Sequence, residues 1–273
     1  MWRANCPSCG QRACAACPIS SHEMLRCCNC ALVFAADRAV PMDTYEHAYS
    51  ECGEYGDAVR MAEALKSAPR SYRWDLEWVL DHVPTFGSSR MLDLGCGVGA
   101  AMLRAADRGW KVHGQDVSLD ACQAIEDVLG LPAYCGTLKD LVKEGKQFEL
   151  ITAFHLLEHL PDPLTFTRLA RRLVVDGGYI GIAVPNYDSY TVRHTTNAQW
   201  LPPFHINYFT NRSLSHLLSS CSFRLESSRV RLISWGGIEG PKSKRYALLP
   251  YLIANRLIGR LQGNIVALVA RAC

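Results

Sequence analysis

The chain has 273 residues, 49% hydrophobic and 20% charged, with a formal net charge of +3 at pH 7. This composition allows one medium globular domain with a small appendage, and excludes a strongly basic nucleic-acid binder. No apolar run reaches the roughly 18–20 residues of a membrane helix, and "MWRANCPSCG" has no secretion-signal core, so a cytoplasmic protein is expected.

Seven of the 13 cysteines fall between Cys6 and Cys30. Without a secretion signal, such a cluster points to metal rather than disulfides. Cys6-x-x-Cys9 and Cys27-x-x-Cys30 are separated by 17 residues, a zinc-ribbon spacing. Two residues between cysteines let both thiolates turn toward one point. Two such knuckles supply the four ligands of a closed, structural zinc site. A third knuckle, Cys14-x-x-Cys17, either replaces one of these or holds a second metal with His22 or Cys28. Leu32, Val33 and Phe34 read as a strand able to dock on the rest of the chain. Residues 1–50 are therefore expected to form a zinc-ribbon-like segment, and 51–273 the main domain.

The pattern then changes. Apolar residues recur at helical spacing over 70–83. A strand is expected at 90–96, a helix at 99–108, a strand at 111–117 and a helix at 118–129. Strands follow at 132–136 and 148–156, a helix at 163–175 and a strand at 177–185. The remainder reads as a helix at 212–221, a strand at 223–233, an apolar and basic helical stretch at 243–261, and a last strand at 264–272. This alternation predicts an α/β fold with a parallel sheet and helices on both faces. The final strand, with no helix after it, is expected to insert antiparallel. The sum is a Rossmann-like, mostly parallel seven-stranded sheet.

"LDLGCGVG" (92–99) ends the first strand of this sheet. Gly95, Gly97 and Ala100 satisfy the dinucleotide pattern G-x-G-x-x-G/A. Asp93, Gly95, Gly97 and Gly99 also satisfy the D-x-G-x-G-x-G pattern of S-adenosylmethionine (SAM) enzymes. An ionised Asp93 repels a pyrophosphate but suits the amino group and sulfonium of SAM, so it favours SAM. Asp116, at the end of the next strand, can accept both ribose hydroxyls of an adenosyl group. Its alternative role as a helix N-cap is one that Ser118 fills equally well.

"LDLGCGVG", "VHGQDVS", "FELITAFHLLEHLPDP" and "LVVDGGYIGIAVPN" resemble, in order and spacing, the motifs of class I SAM-dependent methyltransferases. The resemblance runs from about residue 70 to the end. It implies that Asp93, Gly95, Cys96, Gly97 and Gly99 line the methionine end of the cofactor. It implies that Asp116 and Val117 hold the ribose, that Thr137 and Leu138 lie along the adenine, and that Phe154 and His155 border the sulfonium.

Histidine is the natural base for an acceptor proton near neutral pH. His155 and His159 flank "LLE" with Glu158 beside them. The trio suggests a metal motif, but no further ligand follows at suitable spacing. His205 lies in "WLPPFHINYFT", within an aromatic loop at 187–210 expected to receive the acceptor. Its H-x-x-Y-F pattern partly resembles zinc-bearing deoxysugar C-methyltransferases, with His205 on the family's proposed base and Tyr208 and Phe209 on the pair that follows it. Pro202 and Phe204 stand where that family has tyrosine and glutamate. The departure leaves both O- and C-methylation open and favours the former.

The expected function is SAM-dependent methylation of a small molecule or sugar, with His205 or His155 as base or acceptor ligand, and His159 and Tyr208 as further catalytic candidates. An RNA methyltransferase gripping its substrate with the ribbon is the alternative. Four basic and four acidic side chains in residues 1–50 argue against phosphate contacts there. A non-catalytic SAM-fold binding module is a third reading. Residues 224–273 carry nine basic and two acidic side chains. Within them, 243–261 could meet an anionic membrane surface or simply pack on the sheet.

Overall fold

The computed structural model describes residues 4–17, 19–38, 57–67, 74–85, 89–231, 263 and 265–273. The helical stretch expected at 243–261 lies outside them. Among the described residues, no helix is long and apolar enough to cross a membrane.

Seven strands form the main sheet: β4 (Arg90–Leu94), β5 (Lys111–Asp116), β6 (Ala133–Cys135), β7 (Phe148–Phe154), β8 (Val174–Pro185), β10 (Phe223–Arg231) and β11 (Ile265–Ala272). Their order is β10-β11-β8-β7-β4-β5-β6. The β4–β5, β5–β6, β4–β7 and β7–β8 pairs are parallel. β11 runs antiparallel to both of its neighbours, β8 and β10. It lies one place in from the edge, and all of it but Arg271 is buried, as the apolar run "IVALVARA" requires of a strand covered on both faces. β10 takes the edge with a mostly exposed pattern.

Local chemistry sets most element ends. Ser118 caps the helix Leu119–Ala124 by accepting from the Ala121 N–H at 3.3 Å. The expected helix at 118–129 continues from there as a π-helical turn, Ile125–Leu129. The helix Pro163–Leu173 starts with Asp162 as cap and proline in its first turn. It stops two residues earlier than expected because the β-branched pair Val174 and Val175 already belongs to β8. A helix at Ala58–Ser67, not anticipated from the pattern, packs Ala58 and Ala62 against Val98 and Ala124.

A second sheet joins the N-terminal segment to the main domain. β1 (Ala13–Ala16), β2 (Met24–Cys27) and β3 (Val33–Ala35) form an antiparallel meander, and β3 pairs in turn with β9 (Asn207–Tyr208). The loop 187–210 thus supplies the fourth strand of the N-terminal segment's sheet. Leu25, Leu32 and Phe34 share one apolar cluster with Ile151, Ile182 and Leu214 of the main domain. Burying such side chains contributes about 1.5–3 kcal/mol each.

The third knuckle departs from the metal expectation. Pairing of β1 with β2 sets Cys14 beside Cys28 at a Cα separation of 5.5 Å, and the two are joined by a disulfide. Cys17 stands apart from them, half-buried beside Tyr187.

Asn207 fastens the loop. Its buried Nδ2 donates to the carbonyls of Leu157 (3.1 Å) and Leu160 (2.7 Å). Asn207→Ala leaves both carbonyls without that donor, and should destabilise the chain by about 1–3 kcal/mol in urea unfolding. An unchanged midpoint would show that the clamp contributes nothing.

Candidate active site

The site forms at the carboxyl ends of β4, β5 and β7, where ligands bind in open α/β sheets. Gly95, Gly97 and Gly99 all have left-handed backbone, with φ of 62°, 51° and 85°. A methyl added to Gly95 would lie 2.8 Å from Leu156 Cδ1. Glycine is thus required for the conformation, and it leaves bare backbone facing the ligand.

Asp116 holds the turn. Its Oδ2 accepts from the Gly97 N–H at 2.8 Å, and its Oδ1 from the Ser118 N–H at 3.0 Å. Burial raises its pKa above the usual carboxylate range, against the lowering pull of the Ser118, Gly97 and Val117 amides. Buried Asp93 accepts from Thr152 Oγ1 at 2.6 Å. The Cys96 thiol is pushed well up, first by burial and then by Asp116 and Asp93, so it is no nucleophile at neutral pH. Val117 is partly buried next in the chain. A cradle of bare backbone flanked by two buried acids fits SAM, which carries an amino group, a sulfonium and ribose hydroxyls but no phosphate.

The adenine expectation fell on Thr137 and Leu138. Leu138 packs into the main core with Leu141, so its side chain serves the sheet. Thr137 is exposed and donates to Asp140 Oδ2 at 2.6 Å, while Asp140 Oδ1 accepts from Lys143 Nζ.

A cavity of about 520 Å³ opens beside the glycine turn. Gly95, Cys96 and Gly97 line one side; Phe154, His155, Glu158, His159 and His205 line another. Met61, Leu65 and Trp200 complete the walls. The three histidines of the sequence reading thus meet in one place. Tyr208 does not join them: its side chain is buried and its hydroxyl donates to the Trp200 carbonyl at 2.8 Å. It braces the loop, because β9 turns it toward the apolar cluster of Val33 and Ile206.

His155 also has left-handed backbone, φ 54°, and its N–H donates to the Ala183 carbonyl at 2.8 Å. Its ring lies between two buried acids, with Nε2 3.7 Å from Asp75 Oδ2 and Nδ1 3.4 Å from Glu158 Oε1. Glu158 is 1% exposed, yet neither of its carboxylate oxygens forms a hydrogen bond. Burial alone would raise its pKa; the contact with His155 and the nearby rings of His159 and His205 outweigh burial and hold it down to about 2. His205 is 8% exposed. Burial, helped by His159 and His155 and opposed by Glu158, pushes its pKa down to about 3, so the imidazole is neutral. His159 donates from Nδ1 to the Phe204 carbonyl at 2.9 Å, and its ring stands edge-on to His205 with centroids 4.7 Å apart. Asp75 was not among the expected site residues, and Glu158 was noted only beside His155 and His159. No spacing rule connects Glu158 to His205; the loop's return does, with the Ile206 N–H on the Glu158 carbonyl.

The four thiols of Cys6, Cys9, Cys27 and Cys30 converge within 4.8 Å of one another. Cys6 and Cys30 sulfurs are 3.6 Å apart, and those of Cys9 and Cys27 3.5 Å. Tetrahedral zinc with bonds near 2.3 Å sets its sulfurs about 3.8 Å apart, so the donor set fits that ion.

Comparison with known proteins places residues 61–228 within a family model described as "Methyltransferase domain". Ubiquinone biosynthesis O-methyltransferase of Vibrio vulnificus is 30% identical over 117 residues, 41% of this chain and 50% of that protein. The enzyme of the same name from Ralstonia nicotianae is 27% identical over 204 residues, 66% of this chain and 81% of that protein. The chain spans about half the length of the first of these curated relatives. Among solved structures, a SAM-dependent methyltransferase from Archaeoglobus fulgidus superposes with a TM-score of 0.51 at 18% identity, covering 83% of this chain and 97% of that one. One from Thermotoga maritima gives 0.57 at 16% identity, covering 84% and 99%.

The left-handed turn makes one prediction. Gly95→Ala forces a side chain into a backbone conformation unfavourable by about 1–2 kcal/mol and against Leu156. SAM affinity measured by calorimetry should fall correspondingly; unchanged affinity would mean that the turn does not shape the cofactor site.

Proposed function

The chain belongs to the methyltransferase-domain family and is a SAM-dependent methyltransferase; on that premise we propose that it methylates a hydroxyl oxygen of a small molecule, with His155 as the base. The cavity carries this reading. The glycine turn lines it together with Phe154, Trp200 and the three histidines, so its volume of about 520 Å³ is the space that the methionine end of SAM and a small acceptor would share. The O-methyltransferase names of the relatives support the same atom. SAM brings the electrophile, a methyl on a positive sulfur. The protein must orient the acceptor and receive its proton.

Both ring nitrogens of His155 face buried carboxylates, so to serve as the base the ring turns one of them from Asp75 or Glu158 toward the acceptor. His155 borders the glycine turn, and its second nitrogen faces the buried Asp75 carboxylate. A base oriented by a buried acid is a recurring arrangement for activating a hydroxyl. The proton passes from the acceptor oxygen to the imidazole, where Asp75 and Glu158 stabilise the resulting cation. His205, His159 and Trp200 form the acceptor wall.

The cysteine set takes structural zinc in this reading. Residues 1–50 act as a brace for loop 187–210 within the enzyme formed by 51–273. The β3–β9 pairing and the Ala35 N–H to Ile206 carbonyl bond of 2.9 Å support that role.

His155→Ala should lower turnover by about 10²–10⁴ while SAM affinity stays near that of the wild type. Equal turnover would remove His155 as the base. The acceptor class is decided with methyl-labelled SAM offered separately with phenolic metabolites, nucleotide-activated sugars and total RNA. Label in the first pool is expected, and label in RNA alone would overturn the reading. Replacing Cys27 and Cys30 together by alanine should release the zinc and raise hydrogen exchange across residues 4–38. Full zinc content in that double mutant would sink the ligand assignment.

A further inference from the structure

We propose that Glu158, His159 and His205 form a second metal site, separate from the cysteine cluster, that takes a first-row divalent transition ion at the wall of the acceptor cavity. One ligand atom from each residue lies within 4.8 Å of the others. Two imidazoles and one carboxylate are the donor set of open metal centres, which leave positions for other ligands. Here the open side is the cavity, because all three residues line it.

Three further observations point to an ion rather than to packing. Glu158 is buried; its Oε1 meets only the His155 ring, at 3.4 Å, and its Oε2 has no hydrogen-bond partner. Native proteins rarely leave such a buried oxygen unsatisfied. His159 donates from Nδ1 to the Phe204 carbonyl, which sets its tautomer with the lone pair on Nε2. Metal-bound histidines are commonly oriented by this kind of bond. His205 lies on the cavity wall, with its ring stacked near Trp200 at 6.1 Å between centroids. The two imidazoles favour zinc, cobalt, iron or nickel over magnesium, which prefers oxygen ligands and its own waters.

The site's use rests on the methyl-transfer reading; its existence does not. A hydroxyl bound to the ion loses its proton more readily. His155, on the neighbouring side of Glu158, is the acceptor for that proton. The oxygen–hydrogen bond breaks with its proton going to His155; the oxygen pair then attacks the methyl of SAM while the carbon–sulfur bond breaks, and that pair leaves on sulfur as the neutral thioether S-adenosylhomocysteine.

The test uses the full chain with zinc already in the cysteine site, titrated with Co²⁺. The wild type should bind one further equivalent and develop weak visible bands without thiolate charge-transfer absorption. His205→Ala and Glu158→Gln should each lose this signal while keeping the cysteine-bound zinc and the wild-type far-ultraviolet circular dichroism. No cobalt signal in the wild type, or one that survives in both variants, overturns the site. Should the variants not fold, the cobalt-edge X-ray absorption spectrum of the wild type decides: imidazole scattering without sulfur is expected, and sulfur ligands or only oxygen ligands overturn it. Cobalt binding in a chain that transfers no labelled methyl would remove the acceptor reading and leave the site. Methyl transfer without cobalt binding would do the reverse.

Discussion

The pairing of β3 with β9 is the constraint on which the acceptor side depends. Only two residue pairs define it, Val33 with Tyr208 and Phe34 with Asn207. Yet it fixes where the loop returns over the main sheet. Asn207 then holds the turn at 157–160, and the Ile206 N–H donates to the Glu158 backbone carbonyl at 2.9 Å. His205, one residue earlier, is carried to the cavity as a consequence. A short strand alone could not hold such a position, since isolated pairings are marginal in water. The buried side chains of Tyr208, Phe209 and Phe34 and the cysteine-bound segment behind β3 make it firm.

Electrostatics divides the cavity. On the cofactor side, Asp93 and Asp116 are held by Thr152 and by backbone N–H groups. On the acceptor side, Glu158 is surrounded by His155, His159 and His205, and its carboxylate stays charged because of them. Burying a charge without partners is strongly unfavourable. The arrangement therefore makes sense only when positive character, from a proton or a bound cation, sits among the three rings.

The placement of β11 solves a different problem. A fully apolar strand cannot lie at an exposed edge without inviting association. Set between β8 and β10, it is covered, and the polar β10 takes the edge instead.

Local patterns made much of this legible in advance. Alternating strands and helices, the glycine turn, the acid after β5 and two cysteine knuckles are all short-range features. Each depends on neighbours a few residues away, so each could be read from residue spacing. The Cys14–Cys28 disulfide could not, because it follows from the register of β1 on β2. That Leu138 and Tyr208 turn into apolar clusters was hidden for the same reason: spacing says where a residue falls in the chain, not which way its side chain turns in the core. The helix at 58–67 carried too weak a pattern to be seen. Most consequential, "HLLEH" lacked a further ligand in the linear chain. Tertiary structure supplied it from the loop, because strand pairing and the Asn207 clamp bring His205 to Glu158 across a gap that no local periodicity spans.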